Sequence, residues 1–154
     1  MTIEPGTPAP AFDLATDSGG RVSSAELRGK TVVLYFYPKA STPGCTTEAL
    51  DFTALGAQFA AANAVVIGVS RDPVKALDRF KTKQSLGVIL ASDEEGAVTE
   101  AYGVWGEKKL YGKVYMGVER ATFLIDAEGV VRRTWRKVAV KGHAQAVLDA
   151  VKAL

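Results

Sequence analysis

The sequence contains a single cysteine, Cys45, among its 154 residues. A chain with one cysteine cannot close an internal disulfide, and it cannot build a multi-cysteine metal site. Because free thiols persist in reducing compartments, we expect a cytoplasmic protein. Residues 1–10 lack the apolar core of a secretory signal and carry Glu4, which supports the same expectation.

Long apolar runs and a strong excess of one charge are also missing. The longest apolar run, residues 32–37, is too short to cross a membrane. Lys and Arg total 19 against 17 Asp and Glu, which leaves a net charge of +2, and the cations are scattered along the chain. We therefore expect no membrane contact and no nucleic-acid partner.

The apolar runs that are present predict one α/β domain covering residues 1–154. Short continuous runs of β-branched and aromatic residues are typical of strands buried on both faces. Turn residues and helical spacing delimit the other elements. The predicted strands are an N-terminal hairpin around residues 12–22 and then residues 32–37, 64–69, 88–91, 121–125 and 130–135. The predicted helices cover residues 23–29, 43–62, 95–102 and 142–154, with one more beginning at Asp72; residues 103–117 are predicted to be a loop.

This order of elements indicates a particular architecture. Buried strands joined by helices form parallel pairs, and hairpins add antiparallel ones. The expected fold is thioredoxin-like, with a mixed central sheet, helices on both faces and an N-terminal hairpin.

Cys45 lies at a position that favours a reactive thiol. It falls in the first turn of a predicted helix that follows a buried strand, with Thr42 as the expected N-cap and Pro43 at the first helical position. Unpaired backbone N–H groups and the helix dipole stabilise a thiolate there, and a thiolate attacks peroxide O–O bonds. Gly44 leaves room for a substrate to approach the backbone. The alternative is an inert, buried structural cysteine.

The residues around Cys45 resemble a known family. The segment PKASTPGC, residues 38–45, resembles the peroxiredoxin signature Pro-x-x-x-Thr-x-x-Cys. The longer run FYPKASTPGCTTE, residues 36–48, is similar to the bacterioferritin comigratory protein (Q-type) subgroup. Three further segments carry the same resemblance, which extends from Gly6 onward: YGVWGEKKLYGK at 102–113, RATFLID at 120–126 and WRKVAVKGH at 135–143.

The resemblance implies roles for four residues. Cys45 corresponds to the peroxidatic nucleophile, and Thr42 to the threonine whose hydroxyl orients the peroxide. Pro38 corresponds to the proline that shields the thiolate, and Arg120 to the active-site arginine. Arginine keeps its charge and offers several fixed donors, so it can stabilise both a thiolate and the peroxide oxygens. No metal, haem or flavin is implied.

Two further residues have competing interpretations. Glu48 lies three residues after Cys45 on the same helix face, where it can hold Arg120 in place or simply favour the helix dipole. His143, the only histidine, begins the last predicted helix, so we expect it to have a structural or capping role rather than to pair with Cys45.

The sequence departs from the resemblance in lacking a second cysteine. Many members of the subgroup carry a resolving cysteine five residues after the first or in the following helix; here Leu50, Phe80 and Lys81 occupy those positions. The implied activity is reduction of hydrogen peroxide and organic hydroperoxides through a Cys45 sulfenic acid, with an external thiol as reductant. Thioredoxin, glutaredoxin with glutathione, another low-molecular-weight thiol or Cys45 of another copy remain possible reductants. We expect a monomer, with a dimer as the alternative.

Two other functions compete with a peroxidase. A peroxide sensor or redox relay would use the same sulfenic acid to form a stable adduct with one partner protein. A thioredoxin-like binding module would carry an inert Cys45. The match of Thr42, Cys45 and Arg120 to the family makes the last of these the least favoured.

Overall fold

The structure is a computed structural model that describes residues 3–154. The expectation about a leader in residues 1–10 falls partly on Met1 and Thr2, which lie outside the described residues. None of the helices in residues 3–154 is both long enough and apolar enough to span a bilayer.

Strands and helices alternate in the middle of the described chain, and strands follow one another without an α-helix between them towards both ends. The strands are β1 Asp13–Thr16, β2 Arg21–Ser23, β3 Thr31–Phe36, β4 Ala64–Ser70, β5 Ile89–Ser92, β6 Trp105–Leu110, β7 Lys113–Val118, β8 Ala121–Ile125 and β9 Val131–Trp135. The α-helices are α1 Pro43–Ala54, α2 Gly56–Ala61, α3 Val74–Gln84, α4 Ala97–Ala101 and α5 His143–Lys152.

Seven strands form one mixed sheet, in the order β2-β1-β5-β4-β3-β8-β9. The buried strands β3, β4 and β5 run parallel, as expected for strands joined by helices, while β1, β2, β8 and β9 pair antiparallel with their neighbours. The N-terminal hairpin joins the sheet by pairing β1 with β5. This arrangement confirms the predicted mixed sheet and its N-terminal hairpin.

Helices cover both faces of the sheet. Side chains of α1, α2, α3 and α5 share one apolar cluster, which includes Phe52, Phe59, Phe80 and Val147. On the opposite face, α4 contributes Val98 to a second cluster. Strand β3 alternates between the two clusters, which explains why its sequence is apolar throughout.

Three predicted elements are wrong. Residues 103–117 are not a loop: they contain most of β6 and β7, which pair with each other across Tyr111 and Gly112. Residues 24–29 form turns rather than a helix, although the N–H of Glu26 donates to the hydroxyl of Ser23 as a helix cap would require. The helix predicted over residues 43–62 is broken at Leu55, where α1 ends and α2 follows.

Candidate active site

The chain turn between β3 and α1 sets the position of Cys45. Strand β3 ends at Phe36, and α1 begins at Pro43, which occupies the first turn as predicted. Cys45 follows in the same turn and is only 2% exposed. The N–H groups of a first helical turn have no acceptor inside the helix, so they surround the sulfur with positive potential.

Arg120 reaches the sulfur from a distant part of the chain. It lies immediately before β8, which pairs with β3, so the sheet brings it back to the start of α1. Its Nη2 donates to Cys45 Sγ at 3.3 Å, and its Nη1 donates to Glu48 Oε1 at 2.7 Å. The guanidinium therefore links the thiol and the carboxylate, a geometry that suits its fixed fork of donors. The predicted association of Cys45, Glu48 and Arg120 is present.

Burial affects the pKa values of both Glu48 and Arg120. Glu48 is 1% exposed, and burial raises its pKa to about 7, against the opposing effect of the positive charge on Arg120. Burial alone would lower the pKa of Arg120, but the charges of Glu48 and Cys45 outweigh it and leave that pKa raised. Arg120 thus remains a cation beside the sulfur, while Glu48 is poised between its neutral and charged forms near neutral pH.

Gly44 makes room for the arginine. A Cβ built at residue 44 would lie 3.1 Å from Arg120 Nη2, closer than most real Cβ contacts. The expected space for a substrate is therefore only part of the reason for a glycine here, because the guanidinium of Arg120 occupies the neighbouring space.

Thr42 and Pro38 lie in the segment that leads into α1. Thr42 has the extended backbone of an N-cap, but its side chain makes no capping bond; its hydroxyl donates instead to the carbonyl oxygen of Lys39 at 2.7 Å. Thr42 is therefore the N-cap residue of α1, as predicted, but its hydroxyl does not form the usual capping bond. A hydroxyl that donates its only proton keeps lone pairs that can accept another hydrogen bond. Pro38 is half-buried in the bend that follows β3.

Two tyrosines line the buried side of the site, and the sequence interpretation missed them. Tyr35 on β3 and Tyr37, one residue past its end, belong to the apolar cluster that also contains Phe52 of α1, and burial raises the pKa of both hydroxyls. The ring of Tyr35 stacks on Phe52 with centroids 4.7 Å apart, and it crosses Gly68, where any side chain would collide with it. The alternation of β3 continues through Tyr37, whose N–H still donates to Val69 on β4, so both rings lie on the same face. This alternation is the signal that could have identified them.

His143 is part of the packing and does not pair with Cys45. Its Nε2 lies 2.7 Å from the hydroxyl oxygen of Thr122, and its ring packs edge-on against Phe52 and Trp135. Burial, assisted by the positive charge of Arg120, lowers its pKa to about 4. A neutral imidazole at the start of α5 fits the structural role that we expected.

Lys108 is a second cation near the site that sequence reasoning did not identify. Its Nζ donates to the carbonyl oxygen of Val118 at 2.9 Å, and its stem lies over Gly117. Burial and the charge of Arg120 lower its pKa, whereas Cys45 acts in the opposite direction. Because residues 103–117 were predicted to be a loop, no pattern in the sequence placed this lysine near the site.

Comparison with known proteins assigns the chain to a family. Residues 5–134 match the model of the AhpC/TSA family. The chain belongs to this family. Peroxiredoxin Bcp of Bacillus subtilis is 49% identical over 152 residues, which cover 99% of this chain and 97% of that protein. Peroxiredoxin Bcp of Xanthomonas campestris is 51% identical over 148 residues, which cover 95% and 92%.

Solved structures of the family have the same fold. The bacterioferritin comigratory protein of Xanthomonas campestris, studied for its alkyl peroxide reduction activity, superposes with a TM-score of 0.91 at 46% identity and 97% and 98% coverage of the two chains. A variant of PrxQ from Xylella fastidiosa gives a TM-score of 0.94 at 38% identity, with 99% and 98% coverage. The predicted thioredoxin-like fold and peroxiredoxin resemblance are confirmed, and as a peroxiredoxin the chain is a thiol-dependent peroxidase.

Proposed function

We propose that Cys45 is the peroxidatic nucleophile and that it reduces hydrogen peroxide and organic hydroperoxides. The observation that carries this assignment is the contact of 3.3 Å between Arg120 Nη2 and Cys45 Sγ, at the first turn of α1. The positive guanidinium and the helix N-terminus both favour the thiolate. The thiolate attacks the terminal peroxide oxygen, the O–O bond breaks, and the departing alkoxide or hydroxide takes up a proton.

Thr42, Arg120 and Pro38 would support this displacement. The Thr42 hydroxyl donates to Lys39, so its free lone pairs can accept the O–H of a hydroperoxide and orient it. Arg120 can stabilise the negative charge that develops on the leaving oxygen. We assign Pro38 a shielding role because it lies in the bend between β3 and α1.

Glu48 and Gly44 would act through Arg120 as positioning residues. The bond of 2.7 Å from Nη1 to Glu48 Oε1 fixes the plane of the guanidinium, so that Nη2 stays directed at the sulfur. Gly44 leaves the space that this orientation needs.

The second half of the cycle requires a thiol from another molecule, because Cys45 is the only cysteine of the chain. An incoming thiol attacks the sulfenic sulfur, water leaves, and a mixed disulfide forms. A second thiol then breaks this disulfide and restores Cys45. Thioredoxin, glutaredoxin with glutathione or another low-molecular-weight thiol can supply both thiols, and a monomer in the cytoplasm fits this dependence on a reducing environment.

Turnover with a defined thiol tests the proposal. Wild-type protein with excess dithiothreitol should consume many equivalents of hydrogen peroxide and of tert-butyl hydroperoxide, while Cys45→Ser should consume them no faster than dithiothreitol alone. Thr42→Val should be slower by about a hundredfold or more. A single turnover that ends in a stable adduct would instead favour a redox relay, and an unreactive Cys45 would favour a binding module.

A further inference from the structure

The hairpin formed by β6 and β7 carries a cluster of apolar side chains that the fold leaves exposed. The two strands form a sheet of their own, apart from the seven-stranded sheet. Among residues 3–154, seven large apolar side chains are exposed, and five of them lie on this hairpin. These five, the hairpin patch, are Leu110, Tyr111, Val114, Tyr115 and Met116. The register of the two strands places Val114 and Met116 on one face of the hairpin and Leu110 and Tyr115 on the other, with Tyr111 at the turn, so the patch wraps around the end of the hairpin. Clustered exposed apolar side chains mark interaction sites, and Tyr and Met are common in interface cores.

The surroundings of the hairpin patch are cationic. The hairpin carries Lys108, Lys109 and Lys113 against one carboxylate, Glu107. At its base, a cavity of about 330 Å³ is lined by Lys108, Lys109 and Lys137. The carboxylate of Glu119, which also lines this cavity, is paired with Arg136 at 2.7 Å. A complementary partner would therefore carry acidic groups around an apolar centre.

The hairpin borders the reactive thiol. Strand β7 ends at Val118, two residues before Arg120, whose guanidinium contacts Cys45. Lys108 lies in the middle of β6, and the charges of Arg120 and Cys45 both affect its pKa. A protein that covers the hairpin therefore also lies beside the sulfur, since a typical interface spans about 800 Å² on each partner.

The proposed catalytic cycle indicates which kind of partner binds the hairpin patch. Oxidised Cys45 needs an external thiol, yet the side chain is 2% exposed, so a reducing protein has to seat itself on the surface around it. We propose that the hairpin patch and its lysines are the docking surface for a dithiol protein that reduces Cys45 and that presents an apolar, acidic-rimmed face around its reactive thiol. This inference rests on the proposed function.

Docking would serve a defined exchange of bonds. One partner thiolate attacks the sulfenic sulfur of Cys45, and the hydroxyl leaves as water when it takes up a proton. The second partner thiol then attacks the partner's own sulfur in the mixed disulfide. Cys45 leaves as a thiolate, and the partner departs with an internal disulfide.

The test compares a protein reductant with a small one. Cys45 is oxidised with one equivalent of hydrogen peroxide, and its reduction by reduced thioredoxin, by reduced glutaredoxin and by dithiothreitol is followed by mass spectrometry. The variants are Tyr111→Ser with Val114→Ser, and Lys109→Glu with Lys113→Glu. Each pair should slow reduction by the protein reductant by about tenfold or more. Reduction by dithiothreitol and oxidation by peroxide should be unchanged.

Leu154→Ser is the matched control, because it removes an exposed apolar side chain outside the hairpin; it should leave all three rates unchanged. Equal rates for wild type and both hairpin variants would overturn the proposal. The proposal would also be overturned if neither thioredoxin nor glutaredoxin reduced the wild-type protein faster than dithiothreitol does. A wild-type dimer that dissociates in the variant with Tyr111→Ser and Val114→Ser would overturn it as well. Slow oxidation of the wild type would instead contradict the proposed function, so the two failures are distinguishable.

Discussion

At the scale of single residues, the site depends on how one guanidinium divides its donors. Arg120 gives one donor to Cys45 and another to Glu48. The thiol thereby gains a cation that cannot lose its proton, and the carboxylate keeps that cation in place. Changes that move the guanidinium by a few tenths of an ångström should affect chemistry before they affect folding.

Gly44→Ala separates these two effects. Its Cβ would press on Arg120 Nη2 from 3.1 Å, so we expect slower oxidation of Cys45 by peroxide. Stability should be unchanged or higher, because alanine is better than glycine in a helix by about 0.5–1 kcal/mol.

The control for this variant is Gly56→Ala at the start of α2, where a Cβ would meet nothing within 4 Å. It should leave the oxidation rate at the wild-type value. Stopped-flow oxidation and urea unfolding measure the two quantities; an unchanged oxidation rate in Gly44→Ala would remove the steric reason for this glycine.

Glu48 should leave a signature in the pH dependence of stability. Burial raises its pKa from 4.5 to about 7, so the folded state binds more protons than the unfolded state between those values. Ionisation of Glu48 therefore destabilises the fold as pH rises through this window. His143 has the opposite effect, because its pKa is lowered from 6.5 to about 4 and stability rises with pH between those values.

Glu48→Gln isolates the carboxyl from the histidine. Relative to the wild type, the variant should become more stable as the pH is raised from about 5 to about 7.5. Urea unfolding of both proteins at the two pH values gives the difference. A difference that stays constant with pH would contradict the assigned shift of Glu48.

At the scale of elements, the buried strands and long helices were predictable and the hairpin was not. Strands β3 and β4 are continuous apolar runs, a signal that survives without tertiary information. Strands β6 and β7 are largely exposed, so no burial pattern marks them. Their two-residue turn is Tyr111-Gly112, with both residues at positive φ, whereas Asn-Gly or Asp-Gly would have indicated a hairpin.

The helix expected at Ser23 and the break at Leu55 show two further limits of predicting helices from the sequence. Ser23 supplies one bond of a capping box, but a cap does not make a stable helix from so short a segment. At Leu55 the backbone leaves the helical region immediately before Gly56, and the apolar spacing of Phe52 and Phe59 continues across the break.

The attachment of α5 to the sheet gives a test at this scale. Thr122 on β8 and His143 at the start of α5 are buried and lie 2.7 Å apart. Thr122→Val leaves the imidazole nitrogen without its partner, which should cost about 1–3 kcal/mol of unfolding free energy. Thr82→Val on the exposed surface of α3 should change it by less than about 0.5 kcal/mol. Equal effects in urea unfolding would contradict the anchoring role.

At the scale of the whole molecule, one sheet connects the two apolar clusters, and we propose that the chain forms a single domain.

The candidate site was largely predictable as a set of residues, because the spacing of Pro38, Thr42 and Cys45 is local in sequence. The contact of Arg120 with Cys45 spans 75 positions, and only the pairing of β8 with β3 creates it. Residue periodicity carries no information about such a contact.

A molecule with one cysteine should also overoxidise in a characteristic way. Excess peroxide without a thiol should convert Cys45 from sulfenic to sulfinic acid, because no second cysteine in the chain traps the sulfenic acid as a disulfide. Intact mass should rise by one oxygen and then by two, and dithiothreitol should reverse only the first step. A product that dithiothreitol restores completely after prolonged oxidation would argue for a protective disulfide between two copies.

The most direct test of the site is the rate at which substoichiometric hydrogen peroxide oxidises Cys45, measured by rapid quench and mass spectrometry for the wild type and for Arg120→Lys. A lysine keeps the positive charge but cannot bridge Cys45 and Glu48 with a rigid fork. The wild-type protein should react more than about a hundredfold faster than free cysteine, and Arg120→Lys should lose most of that advantage. A wild-type rate equal to that of free cysteine, or an Arg120→Lys rate equal to the wild type, would contradict the role given to the guanidinium.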